Sequence, residues 1–227
     1  MNREQFLSRV KAAAEQGRAH RVKIEPFPPE TGYVGVVGDL CVALECEIDA
    51  VGGVATIVAD REAARKRLSE LLDEAGAKSA LCWQHPVLDR LGVNELLAER
   101  NVLRIDHSFL QSTPPEDIRP RQLACDIGIT SVDFAIAETG TLLVCSQPGQ
   151  ERVASLLPPL HVAIVEESQI VPDLIDAFAL LHQRGLANLP SNVTLITGPS
   201  KTGDIELQLT TGVHGPGKWR VIVIRGQ

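Results

Sequence analysis

Two short segments carry the side chains best suited to chemistry. The first is Gly198-Pro199-Ser200-Lys201-Thr202-Gly203-Asp204, with His214-Gly215-Pro216 shortly after it. It leaves a β-branched run, Val193-Thr194-Leu195-Ile196-Thr197, that reads as a buried strand. A turn at a strand's carboxyl end, rich in hydroxyls and free backbone N–H groups, can hold an anion such as phosphate. The candidate ligand contacts are therefore Gly198, Pro199, Ser200, Lys201, Thr202, Asp204 and Gly215, with Lys201 supplying the positive charge. His214, in a glycine-flanked segment, suits an acid, a base or an anion ligand. Ser200 and Thr202 read as hydrogen-bond donors, because no histidine–acid pair stands beside them to activate a nucleophile. A plain surface loop in which Asp204 caps the next turn fits the same letters.

The second segment is Glu138-Thr139-Gly140-Thr141, set between the apolar runs Phe134-Ala135-Ile136-Ala137 and Leu142-Leu143-Val144-Cys145. Four polar residues with a glycine make a tight reversal, so an antiparallel hairpin is expected here. A desolvated carboxylate held at such a turn can form covalent acyl intermediates. Glu138 is thus a candidate catalytic residue beside His214, and Thr139, Gly140 and Thr141 are candidate contacts. A solvated turn glutamate is the plainer alternative. His107 follows Asp106 at the end of a strand and could line the carboxyl-end crevice where open sheets gather ligands.

The elements that must position these groups alternate between helix and strand. Asn2 to Gln16 places Phe6, Leu7, Val10, Ala13 and Ala14 on one helical face, and Gly17 to Gly38, with Pro26, Pro28 and Pro29, reads as an extended linker. Its Gly32-Tyr33-Val34-Gly35-Val36-Val37-Gly38 spacing follows no clean strand, so it is not read as a nucleotide loop. Residues 1–38 are therefore an N-terminal helix and linker, and 39–227 an α/β domain. Asp39 caps a helix bearing Leu40, Leu44, Ile48 and Val51, ended by Gly52-Gly53, and Val54 to Val58 is a strand. Asp60 caps a second helix with Ala64, Leu68, Leu71, Leu72 and Ala75 inward, stopped by Gly76. Ser79 to Trp83 is a strand, Pro86 to Arg100 a helical stretch weakened at Gly92, and Val102 to Ile105 a strand. After the hairpin come a helix at Gln150 to Leu156, strand His161 to Val165, and helix Pro172 to Arg184 with Leu174, Ile175, Phe178 and Leu181 inward. Trp219 to Ile224 closes the sheet. The fold class is α/β, a mostly parallel sheet covered by helices with an inserted hairpin.

Composition narrows the function. A net charge of −7 lacks the basic stripe of a nucleic-acid binder. There is no apolar run of the roughly 18 residues a membrane span needs and no basic-then-apolar leader, so a cytoplasmic protein without membrane insertion is expected. Cys41, Cys46, Cys82, Cys125 and Cys145 form no C-x-x-C pair, and no histidine pair has zinc-finger spacing. No metal site is expected, no residue pattern names a cofactor, and disulfides are not expected in a reducing cytoplasm.

Gly128-Ile129-Thr130, followed by Asp133-Phe134-Ala135-Ile136-Ala137-Glu138-Thr139-Gly140-Thr141-Leu142, resembles one hallmark of the LUD domain family. Gly198-Pro199-Ser200-Lys201-Thr202, Asp204-Ile205-Glu206 and Gly212-Val213-His214-Gly215-Pro216 resemble the other. The best-known members are the lactate-utilization protein C (YkgG-like) group, and the resemblance runs from Asp39 to Arg225. Lys201 stands where the family more often has arginine, losing a bidentate fork, and Gly203 where it often has alanine. The resemblance implies a fold similar to the NagB, ribose-5-phosphate isomerase and CoA-transferase group. It also implies a part in oxidising L-lactate to pyruvate beside an iron–sulfur protein and a cysteine-rich protein; the small anionic ligand comes from the loop chemistry above. Glu138 and Gly140 further resemble the Ser-Glu-Asn-Gly turn whose glutamate is the nucleophile of some CoA transferases. An acyl-CoA or sugar-phosphate transferase or hydrolase, and a non-catalytic assembly subunit, stay open as alternatives.

Overall fold

The computed structural model describes residues 2–18, 34–185, 188–205 and 208–226. The chain divides into two compact units, residues 1–34 and 35–227. In the first, α1 (Arg3–Arg18) is opened by a reciprocal cap between Asn2 and Gln5, and Phe6, Leu7 and Val10 are about half exposed. The proline-bearing part of the expected linker lies outside the described residues.

The second unit runs α2 (Leu40–Ala50), β1 (Val54–Val58), α3 (Arg61–Ala75), β2 (Ser79–Cys82), α4 (Pro86–Arg90), α5 (Val93–Glu99) and β3 (Leu103–Ile105). Then come α6 (His107–Gln111), α7 (Pro115–Leu123), β4 (Ile127–Thr130), β5 (Phe134–Ile136), β6 (Thr141–Ser146) and a 3-10 turn (Arg152–Ser155). The chain continues through β7 (Leu160–Glu166), β8 (Ile170–Val171), α8 (Leu174–Gln183), β9 (Asn192–Ile196), β10 (Lys201–Ile205), β11 (Gln208–Thr211) and β12 (Lys218–Ile224).

Local chemistry sets the boundaries. Asp39 and Asp60 accept N–H bonds from Val42 (3.1 Å) and Ala63 (2.8 Å), starting α2 and α3. Gly92, at φ +69°, breaks the stretch after β2 into α4 and α5.

Six strands form a wholly parallel sheet in the order β1-β12-β7-β4-β2-β3. Its interior strands are apolar on both faces, as helix-covered parallel strands must be, and β7 is buried throughout. At the end of β7 the buried Glu166 carboxylate receives Arg61 (3.3 Å) and Arg90 (2.6 Å), tying α3 and α4 to the carboxyl edge. A second sheet, β8-β5-β6-β9, grows from the expected hairpin: β5 and β6 are antiparallel, as are β6 and β9. β10 and β11 form a separate antiparallel ribbon. No helix among the described residues is long and apolar enough to cross a membrane.

Several expectations need correction. β9 is a half-exposed edge strand of the second sheet, with Leu195 44% exposed, and not a buried strand. A short β-branched run does not say which sheet it joins. α8 buries Ala177 and Leu181 against Ile136, Leu143, Cys145 and Val171 but leaves Leu174, Ile175 and Phe178 in solvent, because the small second sheet covers only a narrow stripe of the helix. β12, the last strand of the sheet as expected, enters between β1 and β7. The segment expected as a helix at Gln150 to Leu156 is a single 3-10 turn.

Candidate functional site

Both hallmark turns dock on the carboxyl end of α2. Gly140 has φ +59°, and a Cβ there would stand 2.6 Å from the backbone of Glu47 and Ile48. Gly198 has φ +88°, and a Cβ would come within 2.9 Å of the Val51 carbonyl oxygen. Only glycine meets both demands, a left-handed backbone and close approach. Lys201 Nζ donates to that same Val51 oxygen at 2.5 Å, a cation on the negative end of a helix. Thr139 Oγ1 donates to Thr141 Oγ1 (2.7 Å), and Thr141 Oγ1 meets Thr197 Oγ1 (2.7 Å), stitching one turn to the other.

The loop after β9 and the His214 segment are neighbours. Ser200 N–H donates to Pro216 O and Gly212 N–H to Ser200 O, both at 2.9 Å. Between this pair, β9 and the 3-10 turn lies an open crevice of about 250 Å³. Arg152, Ser155, Thr197, Ser200, His214 and Gly215 supply most of its polar lining. The Arg152 and His214 side chains have no hydrogen bond or ion pair among the described residues.

This geometry differs from the backbone cradle expected between Ser200 and Asp204. Ser200 N–H is already used by Pro216, Lys201 and Thr202 pair with Thr211 and Thr210, and Asp204 lies within β10. Lys201 directs its charge at α2 and not at the crevice. The groups available to an anion are side chains instead. Arg152 and Ser155 were missed, since one arginine on a short turn gives no sequence signal. The turn that carries them sits where it does because Gly128 has no side chain: a Cβ there would lie 1.8 Å from Ala154 O.

Glu138, Thr139 and Gly140 do not line the crevice; Thr141 reaches it only through Thr197. Glu138 N–H donates to Pro172 O (3.2 Å), and its half-buried carboxylate has no partner among the described residues. His107 opens α6 at the carboxyl edge of the parallel sheet.

Among the described residues no group of three or more His, Cys, Asp or Glu converges as a metal would need. All five cysteines are free thiols, four of them buried. Burial pushes Cys82 and Cys145 up to about 12 and Cys125 to about 11, away from the thiolate. A native-state thiol titration is therefore expected to label only Cys46 rapidly, and all five cysteines in denaturant. Fast labelling of a second thiol would contradict the burial described here.

A parallel six-stranded sheet, a hairpin-seeded second sheet and two glycine turns on one helix end define an α/β protein whose two signature loops are structurally coupled. The chain belongs to the LUD domain family: that domain's sequence pattern matches residues 44–224. It is 30% identical over 233 residues to "Lactate utilization protein C 1" of Bacillus mycoides, covering 100% of this chain and 98% of that one. It is 35% identical over 159 residues to "Lactate utilization protein C" of Halalkalibacterium halodurans, covering 69% of this chain and 67% of that one. A DUF162 family protein of Deinococcus radiodurans, solved by crystallography, shares the fold with a TM-score of 0.57 at 22% identity, over 82% of this chain and 96% of that one.

Proposed function

We propose that this chain is a cytoplasmic subunit of an L-lactate-utilising system and binds a small anion in the crevice between β9 and the His214 segment. The observation that carries the lactate role is the end-to-end similarity to a relative named for lactate utilization. The system oxidises L-lactate to pyruvate, with electrons passing through an iron–sulfur protein and a cysteine-rich protein that associate with this chain. In the crevice Arg152 supplies charge, Ser200 and Thr197 donate hydrogen bonds, His214 acts as acid, base or ligand, and Gly215 leaves room for them. Gly198, Pro199 and Lys201 shape the loop from its α2 side, and Thr202 and Asp204 extend it as a ribbon.

A second reading rests on Glu138. Its carboxylate, unpartnered among the described residues and set on a glycine turn, suits acyl transfer in a fold of the NagB and CoA-transferase kind.

Calorimetry with lactate, pyruvate and phosphate tests the anion site. Arg152→Glu reverses the arginine charge that lines the crevice, and is expected to weaken the bound anion at least about tenfold. Lys201→Glu, away from the crevice, is expected to change affinity little. Affinity that follows Lys201 and ignores Arg152 would overturn this arrangement.

A further inference from the structure

β2 leads to β3 at the sheet's outer edge, while β4 leads back to β7, so the chain leaves adjacent strands in opposite directions. Open parallel sheets take ligands outside the carboxyl ends of strands at such a switch. Gln84 lies just past β2, which flanks this switch, and His107 just past its outer neighbour β3, and the Gly149–Glu151 segment touches both. It is fixed there: Gln84 N–H donates to Gly149 O (2.8 Å) and Trp83 Nε1 to Glu151 O (3.0 Å). Gly149, at φ +83°, holds a left-handed backbone that favours glycine.

The fixed segment aims one carboxylate at one imidazole. His107 Nδ1 lies 2.5 Å from Glu151 Oε1, which also accepts Gly149 N–H at 3.2 Å. His107 Nε2 lies 2.8 Å from Gln111 Nε2. An amide nitrogen donates only, so Nε2 carries the lone pair and the ring proton sits on Nδ1. Arg104 and Asp106, the charges nearest on β3 and its exit, pair with each other at 3.2 Å. Both members of the His107–Glu151 pair remain about a third exposed, at 31% and 30%.

We propose that His107, oriented by Glu151, is a proton-transfer residue for a ligand bearing an alcohol hydroxyl at this edge. The arrangement is that of a base whose second nitrogen is held by a carboxylate. When Gln111 gives way, the ligand's O–H proton passes to Nε2 as the adjacent C–H bond gives up its two electrons and its proton to the electron-accepting partner of the assembly, leaving a carbonyl, and the Glu151 carboxylate stabilises the imidazolium until it returns its proton to solvent. Gln84, Ser108 and Gln111 form a neutral rim of amides and a hydroxyl, which suits an uncharged oxygen function better than a phosphate.

The turnover test rests on the reading above and uses the complete lactate-oxidising assembly with this chain intact. His107→Asn and Glu151→Gln are each expected to lower turnover about a hundredfold with unchanged melting. The double variant should lose little more than either single one, since the two groups act as a unit. Glu151→Asp, which keeps a carboxylate, should retain more activity than Glu151→Gln, whose acid limb in the rate–pH profile should be displaced. Parent turnover and profile in both single variants would overturn the pair while leaving the lactate role standing. An assembly at full rate without this chain would overturn both. Should a variant fail to fold, long-range ¹H–¹⁵N spectra of the parent chain decide. Neutral His107 protonated on Nδ1 is expected, and the opposite tautomer would overturn the assignment.

Discussion

Gly128→Ala is expected to cost about 3 kcal/mol and to lower the melting temperature by roughly 6–12 °C. Gly128 lies in β4, between β2 and β7 at the middle of the parallel sheet, so its backbone has little freedom to move away. The added methyl would meet Ala154 O at 1.8 Å, Ala154 C at 2.9 Å and Pro158 Cγ at 3.3 Å. The nearest two atoms are backbone and cannot rotate aside. The 3-10 turn must lift, carrying Arg152 and Ser155 with it, so anion affinity should fall together with stability. Gly203→Ala is the matched control: nothing among the described residues lies within 4 Å of its Cβ position, and its effect should stay within about 1 kcal/mol. Equal melting temperatures for the two variants would show that the turn is not seated on β4 as described.

His161 should make the fold sensitive to acid. It is 1% exposed on β7, its Nε2 meets Thr130 Oγ1 at 2.8 Å, and Nδ1 has no partner among the described residues. Burial pushes it down from 6.5 to about 4, because the charged ring would have to leave water. The open chain takes up the proton near 6.5 and the fold only near 4. The contribution is therefore complete above pH 6.5 and lost as pH falls towards 4, amounting to about 3 kcal/mol. Urea unfolding of the parent and of His161→Gln across pH 7.5 to 4 isolates this contribution. The stability gap between the two proteins should shrink by about that amount, and a constant gap would mean that His161 titrates normally in the fold.

What could be read in advance was local. Asp39, Asp60, Gly76 and Gly92 act on their own turns, and each marks a boundary the structure keeps. The hairpin around Gly140 was legible for the same reason. The face that α8 buries was not, because Leu174, Ile175 and Phe178 keep perfect helical spacing whether or not a sheet lies beneath them. The site divided along the same line. Proximity of Ser200 to His214 followed from a short connection, whereas Arg152 enters the crevice through the contact of Gly128 with Ala154, across a wide gap in sequence. The charge of Lys201 is visible in sequence and suits a ligand; its helix-end partner at Val51 is not visible there.

The placing of β12 also governs the order in which the molecule can assemble. β1 comes before every other strand of the described residues and β12 after them all, yet the two are hydrogen-bonded neighbours, and β12 alone joins β1 to β7. Until Lys218–Ile224 are threaded into that gap, β1 has no partner strand in the sheet and β7 is left with an open edge. Closure over so long a span of chain comes late and slowly in folding, since its entropy must be lost before the contacts repay it. Open parallel edges that wait for a distant strand are sticky. A chain interrupted before Trp219 would therefore be held back from completing its fold and exposed to self-association, even with every residue of the crevice already made.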